Sequence, residues 1–508
     1  MSSLEREIKL GAPDEFELPS LDHPDGGLLA SPEDTIELIA TYFDTADLRL
    51  SRAGASLRNR SDEGWMVKLA KSSDDSMLVR AEHLVASTAL DGAVPPDEAL
   101  DLVRALTRNA PVAAVATLQT TRRRVTLRAD DGSLGGRAVG EVVDDRVEVR
   151  APDTGEVVGR FRELEVELEE HATDVHRIAI LERLRDAGAG SADPTPKIVR
   201  ALGPTATAPS DVVVPQLSEH HPPLADVVGH AIALAVARLV AHDPGVRIGD
   251  DPEAIHQARV ATRRLRSDLR TFRSLVDEPW ADSLRDELRW IGDVLGAVRD
   301  TEVLIERLEH AITLLPEVDR ASAEQILERL RDDRERSREQ LLRAFRSERY
   351  DTLLDRLVGA AQRPRLLLRI NDDDDAQVMR ALVRKPWQQL RDAVDALAKD
   401  PPDSALHAIR IRTKRARYAA EAVQPAFGKA ARAFARALVG VQDVLGEHQD
   451  AVVAGEWLRR AARRAEHGDE AFAAGELAAI EHDAAEAARA EWPAAWRRAT
   501  RKRLREWL

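Results

Sequence analysis

The sequence predicts two fold classes in one chain, a β-rich α+β region at the N-terminus followed by an all-α region. Up to about residue 202, short stretches alternate polar and apolar residues at period two, which is typical of strands. From residue 224 nearly to residue 508, apolar residues recur every three or four positions, as on helices. Residues 203–210 have the Pro, Ala and Thr content of a linker. We therefore expect a multidomain protein with domains at 1–205 and 223–508, joined by a linker at 206–222.

Length and composition exclude several classes of protein. At about 100–200 residues per domain, a chain of 508 residues has room for more than one well-packed core. The chain has no cysteine, which excludes disulfides, cysteine–zinc sites and thiol nucleophiles. We find no run of about 18 apolar residues and no apolar stretch typical of a secretory signal at the N-terminus. We expect a cytoplasmic protein without a membrane span.

The predicted strands of the first domain carry charges on one face and apolar residues on the other. Strand periodicity places Glu5, Glu7 and Lys9 on one face, and residues 163–169 alternate in the same way. A fully charged face is unusual for a sheet packed around an apolar core. It is expected when the sheet curls into a barrel with a polar interior and an apolar outside covered by helices. Helices are predicted at residues 32–41, 96–107 and 172–187.

Charged residues recur on the face predicted to point inward. Arg58 and Arg60 lie two residues apart, and Glu141 and Asp145 lie four apart, so each pair shares one strand face. Cations at this density suit a ligand with several phosphates, and clustered carboxylates suit a hard cation such as Mg²⁺. A solvated sheet face with surface ion pairs is the alternative. The recurrence on most strands favours a ligand-binding interior.

These motifs, in this order along the chain, resemble the CYTH, or triphosphate tunnel metalloenzyme, superfamily over residues 1–205. The resemblance rests on Glu5-x-Glu7-x-Lys9, Tyr42-Phe-Asp-Thr45, Arg58-x-Arg60, Lys68, Arg80-x-Glu82 and the late Glu-x-Glu. It implies an eight-stranded antiparallel β-tunnel with flanking helices that cleaves triphosphate compounds with Mg²⁺ or Mn²⁺.

The resemblance also implies the roles of individual residues. The carboxylates that would hold the metal are Glu5, Glu7, Asp145, Glu165 and Glu167. The cations that would bind the phosphate chain are Lys9, Arg58, Arg60, Lys68, Arg80, Lys197 and Arg200, with Arg122 or Arg124 at the transferred end. Two assignments stay open, because Arg122 and Arg124 flank a third arginine and because the glutamates of 163–169 could shift by two. Asp145 is chosen over Asp144 because it shares a face with Glu141.

The helical region contains an internal repeat. Residues 256–266 match residues 407–417, and residues 293–300 match residues 443–450 at nearly the same offset. Two aligned motifs predict a duplicated helical unit, and helical bundles are the natural architecture for it. We expect halves at about 223–370 and 376–508, separated by the acidic break at 371–375.

Each repeat carries a stripe of positive charge. On a helix, His256, Arg259, Arg263, Arg266 and Arg270 fall on one face. The second copy repeats the stripe with His407, Arg410, Lys414 and Arg417. Like charges on one helix face repel each other, so acidic neighbours or an external polyanion should offset them. The duplication of the stripe favours the polyanion.

These helices resemble the CHAD domain over residues 223–508. The resemblance implies two helical bundles with pseudo-twofold symmetry and a basic surface that binds inorganic polyphosphate. The residues it assigns to that surface are His256, Arg259, Arg263, Arg264, Arg266, His407, Arg410, Lys414, Arg415 and Arg417. Nucleic acid is disfavoured as a partner, because aromatic residues make up 4% of the chain and none lies within the first stripe. Membrane surfaces are disfavoured because the arginine helices lack Trp or Phe faces.

The sequence therefore predicts a metal-dependent triphosphatase, acting on inorganic tripolyphosphate, joined to a polyphosphate-binding domain. Two alternatives stay open. The tunnel could act on an organic triphosphate, as a thiamine- or nucleoside-triphosphatase or as an adenylate cyclase. The protein could also be a non-catalytic polyphosphate-binding module. No residue clearly recognises a base or a thiazolium ring, which favours the inorganic substrate. Polyphosphate binding could bring this cytoplasmic protein to polyphosphate granules.

Overall fold

The computed structural model describes residues 2–22, 27–31, 34–73, 78–86, 94–129, 137–169, 172–219, 222–367 and 374–508, with backbone alone at 2–6, 71–73 and 78. The chain divides into two compact units, Met1–Asp211 and Val212–Leu508. The turn that the Asp-Asp-Gly sequence of residues 130–132 predicts lies outside the described residues, as does part of the acidic break at 371–375.

The first unit contains nine strands and four short helices among its described residues. The strands are β1 Ser2–Gly11, β2 Leu28–Ala30, β3 Asp34–Thr45, β4 Ser56–Arg60, β5 Gly64–Ser73, β6 Leu78–Val85, β7 Val112–Ala129, β8 Arg137–Arg150 and β9 Val157–Leu168. The helices are α1 Arg49–Arg52, α2 Asp97–Thr107, α3 Asp174–Asp186 and α4 Lys197–Leu202.

Eight of these strands close into an antiparallel barrel. The order around the barrel is β3-β4-β5-β6-β1-β9-β8-β7, and β7 pairs back with β3, so each strand has two neighbours. The short β2 pairs with the end of β7. The predicted eight-stranded antiparallel tunnel is thereby confirmed.

Side-chain alternation gives this barrel its charged interior. On the outside, Leu10, Leu164 and Val166 are fully buried against α3, whose Ile180 and Leu184 belong to the same apolar cluster. The residues between them in sequence point the other way, because successive side chains of a strand lie on opposite faces. The apolar layer that the sequence placed outside the barrel therefore lies beneath a helix.

One of the three predicted helices is wrong. Residues 34–41 belong to β3, which pairs with both β7 and β4. Ser31 resembles a helix N-cap in the sequence, but its N–H and Oγ bond the backbone of Thr126 on β7, each at 2.9 Å. The other two predictions correspond to α2 and α3. In the predicted linker, Gly203–Thr207 forms a 3-10 helix.

From residue 224 on, the described part of the second unit consists of helices and short connections, with one isolated β-bridge between Val276 and Leu366. Its helices are α5 Leu224–Ile248, α6 Pro252–Thr271, α7 Glu278–Ile312, α8 Glu317–Phe345, α9 Glu348–Gln362, α10 Asp375–Asp395, α11 Asp403–Ala422, α12 Gln424–Arg464 and α13 Gly468–Ala499. The series α5–α8 corresponds to α10–α13, since the repeated motifs fall on α6 and α11 and on α7 and α12. The all-α prediction is confirmed.

Helices of the two halves of the helical unit pack against each other. Helix α6 contacts α11, and α8 contacts α13. One apolar cluster combines Ile305 and Leu308 of α7 and Leu330 of α8 with Leu458 of α12 and Leu477 of α13. The duplicated halves therefore merge into one helical body rather than standing as separate bundles.

Helix α5 is long and apolar enough to span a membrane by length and composition, and half of its most apolar 18-residue window is buried. Composition alone therefore does not support the prediction that the chain has no membrane span. In the helical unit α5 packs against α6 and α9. A core helix of a packed domain has this composition as well.

Candidate functional site

The barrel encloses a cavity whose lining is mostly charged. Seven barrel strands and the start of α4 contribute to it. The lining residues are Glu7, Lys9, Tyr42, Ser56, Arg58, Arg60, Lys68, Arg80, Arg122, Glu165, Glu167, Lys197 and Ile198. Seven of these side chains are Lys or Arg and three are Glu. The predicted convergence of cations and carboxylates inside the sheet is therefore what the structure shows.

Three of the glutamates could hold a metal ion. Glu7, Glu165 and Glu167 each offer a carboxylate oxygen, and these oxygens lie within 4.8 Å of one another. Glu7 and Glu167 are direct partners across β1 and β9. Buried carboxylate oxygens are the donors that Mg²⁺ and similar hard cations prefer, so the donor set fits such a metal. The sequence left open which glutamates of residues 163–169 lie at this site. In the structure they are Glu165 and Glu167.

Lys9 lies among these carboxylates and is 1% exposed. Its Nζ lies 3.3 Å from Glu7 Oε2 and 3.5 Å from Glu163 Oε1, and it donates a hydrogen bond to Glu165. Burial alone would lower the pKa of Lys9, but Glu163, Glu165 and Glu7 together raise it well above its ordinary value. Lys9 therefore stays protonated and reduces the repulsion among the glutamates.

Asp145, predicted as a metal ligand, lies outside this group of three. Arg122 donates to it from Nε at 2.8 Å and from Nη2 at 2.7 Å, and Lys197 bonds the same carboxylate. Burial would raise the pKa of Asp145, but Lys197 and Arg122 lower it. Both oxygens are thus engaged by cations, which indicates that Asp145 positions Arg122 and Lys197.

A second set of cations lies on β4, β5 and β6. Arg80 donates to Glu7 at 2.6 Å, Lys68 forms an ion pair with Glu82, and Arg58 donates to the Tyr42 hydroxyl at 3.5 Å. Burial would raise the pKa of Tyr42, but Arg58, Lys197 and Lys68 lower it.

The turn after β4 supplies carboxylates to two of these arginines. Arg58 Nη2 lies 3.3 Å from Glu63 Oε2, and Arg60 bonds Glu63 and, at 2.7 Å, Asp62. Glu63 is not among the site residues predicted from the sequence. Glu63 lies three residues after Arg60, and this spacing could have indicated the ion pair between them.

Besides Asp145, three predicted residues either do not line the cavity or have side chains that the structure does not describe. Arg124 is 41% exposed and donates to Asp34 at 2.9 Å, so Arg122 is the arginine that reaches the cavity. Arg200 bonds Asp193 at 2.7 Å and lies 3.5 Å from Glu163. The backbone of Glu5 faces Arg80 on β6, and its side chain is not among those described.

Glu163 is a residue to which the sequence analysis assigned no definite role. It is 0% exposed, and its Oε1 lies 3.5 Å from Lys9 and 3.3 Å from Lys197. Burial raises its pKa, although Lys9 and Lys197 oppose that shift. The alternation of residues 163–169 predicts that Glu163 lies on the inner face of the barrel, but the Glu-x-Glu motif does not define its role. It links β9 to Lys9 on β1 and Lys197 on α4.

The family-like segment Tyr42-Phe-Asp-Thr45 has a mainly structural role. Asp44 accepts hydrogen bonds from the backbone N–H of Leu50 and Ser51, each at 2.9 Å, and so holds the start of α1. Phe43 packs against Trp65 outside the barrel, with ring centroids 5.1 Å apart. Only Tyr42 faces the cavity.

The helical unit contains a groove of about 450 Å³ in which both copies of the basic motif meet. Its charged and histidine side chains come from α6 (His256, Arg259, Arg263), α11 (His407, Arg410, Lys414), α7 (Arg299, Asp300, Arg307) and α12 (Asp450). Sequence reasoning predicted two stripes. The packing of α6 on α11 places them in one groove.

The second repeated motif explains how two of the arginines are held. Arg259 donates to Asp300, and the position of a Cβ on Gly296 would lie 3.5 Å from its Nη2. In the other half Arg410 lies 3.9 Å from Asp450, and a Cβ on Gly446 would lie 3.7 Å from its Nε. Each glycine therefore leaves room for a guanidinium, and each aspartate four residues later faces it.

Some positive charge in the groove has no carboxylate partner. Within the described part of the helical unit, neither Arg263 nor Lys414 has a carboxylate oxygen within 4.0 Å. Arg263 Nε, His407 Nδ1 and Arg410 Nε are buried atoms without a hydrogen-bond partner. Burial, followed by Arg410, Arg263 and Arg259, lowers the pKa of Lys414 to about 7. The acidic side chains near the groove thus neutralise only part of its positive charge.

Four predicted polyphosphate-binding residues do not line this groove. Arg264 and Arg417 both bond Glu421 and flank the ring of Tyr418 at 5.7 Å and 4.3 Å. The other two are Arg266 and Arg415. Arg266 lies near Arg263, Arg285 and Arg289. Arg415 lies near Arg270 and Arg412.

Comparisons with known proteins identify the two domains. The family model described as CYTH domain matches residues 3–197, and the one described as CHAD domain matches residues 230–459. Two curated Mycobacterium tuberculosis proteins, "Uncharacterized protein Rv2226" (strain H37Rv) and "Uncharacterized protein MT2285" (strain CDC 1551), are each 34% identical over 493 residues, or 91% of this chain and 90% of theirs.

Two solved structures are also similar. PptA from Streptomyces chartreusis is 27% identical with a TM-score of 0.47, over 54% of this chain and 99% of that chain. The CHAD domain from the plant Ricinus communis is 28% identical with a TM-score of 0.43, over 55% of this chain and 96% of that chain.

Proposed function

This chain belongs to the family in which a CYTH domain is followed by a CHAD domain, and on that premise we propose that it is a metal-dependent triphosphatase that also binds inorganic polyphosphate. Inorganic tripolyphosphate is the proposed substrate of the tunnel. The observation that carries the proposal is the group Glu7, Glu165 and Glu167, within 4.8 Å of one another in a cavity lined by seven cations.

The cations of β4, β5 and β6 are placed to hold a phosphate chain. Arg58, Arg60, Lys68 and Arg80 all line the cavity, and arginine offers a planar fork that matches phosphate oxygens. Their present partners, Glu63, Glu82 and Glu7, hold them in position. A triphosphate would replace part of these contacts with stronger ones to its own oxygens.

Arg122 and Lys197 are placed to stabilise charge at the end of the chain that reacts. Arg122 Nη2 lies 2.9 Å from Glu165, beside the three glutamates, while Asp145 fixes its orientation. A divalent metal held by Glu7, Glu165 and Glu167 would supply charge neutralisation at the phosphate oxygens. Pre-positioned donors of this kind stabilise the transition state without reorganising at the moment of reaction.

The lining favours an inorganic triphosphate over an organic one. Among the described residues that line the tunnel cavity, Tyr42 is the one aromatic, and its hydroxyl is directed at Arg58. Recognition of a base or a thiazolium ring needs a stacking surface or hydrogen-bond partners of its own. The remaining apolar lining residue described is Ile198.

The triphosphatase is tested by phosphate release from tripolyphosphate, thiamine triphosphate and ATP, with Mg²⁺ or Mn²⁺, and by an assay for cyclic AMP. We expect release from tripolyphosphate that stops in excess chelator, and a loss of about 100-fold or more in Glu165→Gln. Circular dichroism should show that this variant is folded. Full activity in excess chelator, or release from none of the substrates, would refute the proposal.

Polyphosphate binding is proposed for the groove because Arg263 and Lys414 lack carboxylate partners there. The test compares polyphosphate affinity of the full chain with that of Arg263→Ala. Arg343→Ala is the matched control, since Arg343 is 67% exposed on α8 and pairs only loosely, at 3.6 Å, with Glu339. We expect the first variant to bind about tenfold more weakly and the control to bind normally. Equal losses would point to non-specific attraction.

The two sites share one ligand chemistry, so we further propose that the helical unit holds the enzyme on polymer or gathers substrate near the tunnel. Deletion of residues 206–508 should then reduce retention on polyphosphate or change the kinetics on long phosphate chains. If the deletion changed neither, the proposed coupling would be wrong.

A further inference from the structure

One cationic side chain of the groove in the helical unit, Lys414, is a lysine, whereas the others are arginines. Lys414 occupies in the second motif the place that Arg263 occupies in the first. Among the described residues that line the groove, it is the single lysine. Arginine stays protonated in proteins, whereas a lysine amine can lose its proton and become a nucleophile.

The surroundings of Lys414 disfavour its protonated form. Arg259 and Arg263 of α6 and Arg410 of its own helix line the same groove. The carboxylates that face the groove from α7 and α12, Asp300 and Asp450, are directed at arginines. Neither forms an ion pair with Lys414.

The histidines of the groove, His256 and His407, add further groups around the amine. Near neutral pH an ordinary histidine is mostly uncharged, and burial lowers the pKa of His256 further. The pKa of Lys414, lowered to about 7 by burial and by the arginines, leaves about half of the amine unprotonated at pH 7. An ordinary exposed lysine has a pKa of about 10.4.

We propose that Lys414 is a site of acylation by acyl phosphates, whose phosphate group the groove arginines would bind while the carbonyl carbon faces the amine. The proposal rests on the proposed function in one respect, namely that the groove binds phosphate groups. It adds a chemical modification and a means of regulation at that site.

The reaction needs no further reagent. The Nζ lone pair forms a bond to the carbonyl carbon, and the bond between that carbon and the bridging oxygen breaks with its electrons on the phosphate. A proton from Nζ passes to the departing phosphate, giving N-acyl-lysine and inorganic phosphate. Arg263 and Arg410 are placed to stabilise the charge on that leaving group.

Acylation would change what the groove binds. It removes the charge of Lys414 and adds bulk between the two arginine stripes, so polyphosphate affinity should fall. Conversely, bound polyphosphate would cover the amine and favour its protonated form. Acyl phosphates and polyphosphate should therefore exclude each other.

The test treats the full chain with acetyl phosphate at pH 7 and follows each lysine by peptide mass spectrometry. Lys429, an exposed residue on α12, is the internal control. We expect acetylation of Lys414 to be faster than that of Lys429 by about tenfold or more, because more of its amine is unprotonated. Excess polyphosphate should slow the reaction at Lys414 and leave Lys429 unchanged.

A neutral acyl donor, p-nitrophenyl acetate, separates nucleophilicity from phosphate binding. The preference for Lys414 should be smaller with this donor, and Arg263→Gln should reduce the preference seen with acetyl phosphate. Acetylation of Lys414 no faster than that of Lys429, or an equal preference with both donors, would overturn the proposal. Polyphosphate affinity of the unmodified chain is measured separately, so normal binding without selective acetylation refutes only this inference.

Discussion

Arg122 donates to both carboxylate oxygens of Asp145, from Nε to Oδ1 at 2.8 Å and from Nη2 to Oδ2 at 2.7 Å. The two residues are direct partners across β7 and β8, so the ladder itself sets this pair. Lys197 of α4 bonds the same carboxylate. With both oxygens engaged by cations, Asp145 holds Arg122 and Lys197 in place, and the proposed metal site is left to the glutamates.

This pair gives the first prediction, for Asp145→Asn. Turnover of triphosphate should fall by about tenfold or more, roughly 1.4 kcal/mol of transition-state stabilisation, because Arg122 loses its charged partner. The Mg²⁺ concentration that gives half-maximal activity should stay near that of the unaltered protein. Glu165→Gln is the comparison and should raise that concentration. If Asp145→Asn raised it as much, Asp145 would be a metal ligand after all.

The pKa of Lys414 predicts how polyphosphate binding depends on pH. A bound polyanion favours the protonated amine, so binding raises this pKa above its free value of about 7. Affinity is then full below pH 7 and falls as pH rises, by up to about tenfold per pH unit for one linked proton. Lys414→Arg, which stays charged, should show a flatter profile. Titrations between pH 7.5 and 9.5 avoid most of the histidine contribution, and identical profiles would contradict this account.

Gly446 predicts a steric effect on the groove. A Cβ at this position lies in contact with Arg410, so the larger side chain of Gly446→Leu should displace the guanidinium and weaken polyphosphate binding by about tenfold. Gly440→Leu is the matched control on the same helix, because nothing lies within 4 Å of its Cβ position. Both changes remove a helical glycine, which favours the helix by about 0.5–1 kcal/mol. Equal affinities in the two variants would show that Arg410 can be displaced without cost.

Arg263 and Arg264 are adjacent in sequence and should differ in effect. Arg263 faces the groove without a carboxylate partner, so Arg263→Gln should weaken polyphosphate binding with little change in the free energy of unfolding. Arg264 bonds Asp268, which is 0% exposed, so Arg264→Gln leaves a buried carboxylate without its cation. Its free energy of unfolding should fall by about 1–3 kcal/mol. Urea denaturation and a binding titration on both proteins test this, and a reversed pattern would contradict it.

Much of the tunnel could be predicted because polar and apolar residues alternate at period two in strands such as β1 and β9. Glu7, Lys9 and Glu165 alternate with Ile8, Leu10 and Leu164, and a charged face opposite an apolar one is compatible with few architectures. Distances across the barrel could not be predicted. The partner of Asp145 depends on the register of β7 against β8, which local pattern does not define.

The failures have local causes. Residues 31–34 carry a start signal typical of a helix, and the pairing of β3 with two strands overrides it. Each basic stripe could be predicted from helical spacing, but the stripes meet only because α6 packs on α11. Arg264 belongs to the same motif as Arg263, but its rotation around α6 takes it out of the groove. Arg266 shares a helix face with Arg263 but lies three residues further along α6 and does not line the groove.

The ring of strands constrains how a polymer could be processed. Each of the eight described barrel strands is hydrogen-bonded to a neighbour on both sides, so the described part of the wall has no gap between strands. A phosphate chain would therefore enter through an end of the barrel and not through its wall. If the tunnel hydrolyses phosphate chains as we propose, a long polymer should be shortened from a chain end, and product lengths should decrease stepwise.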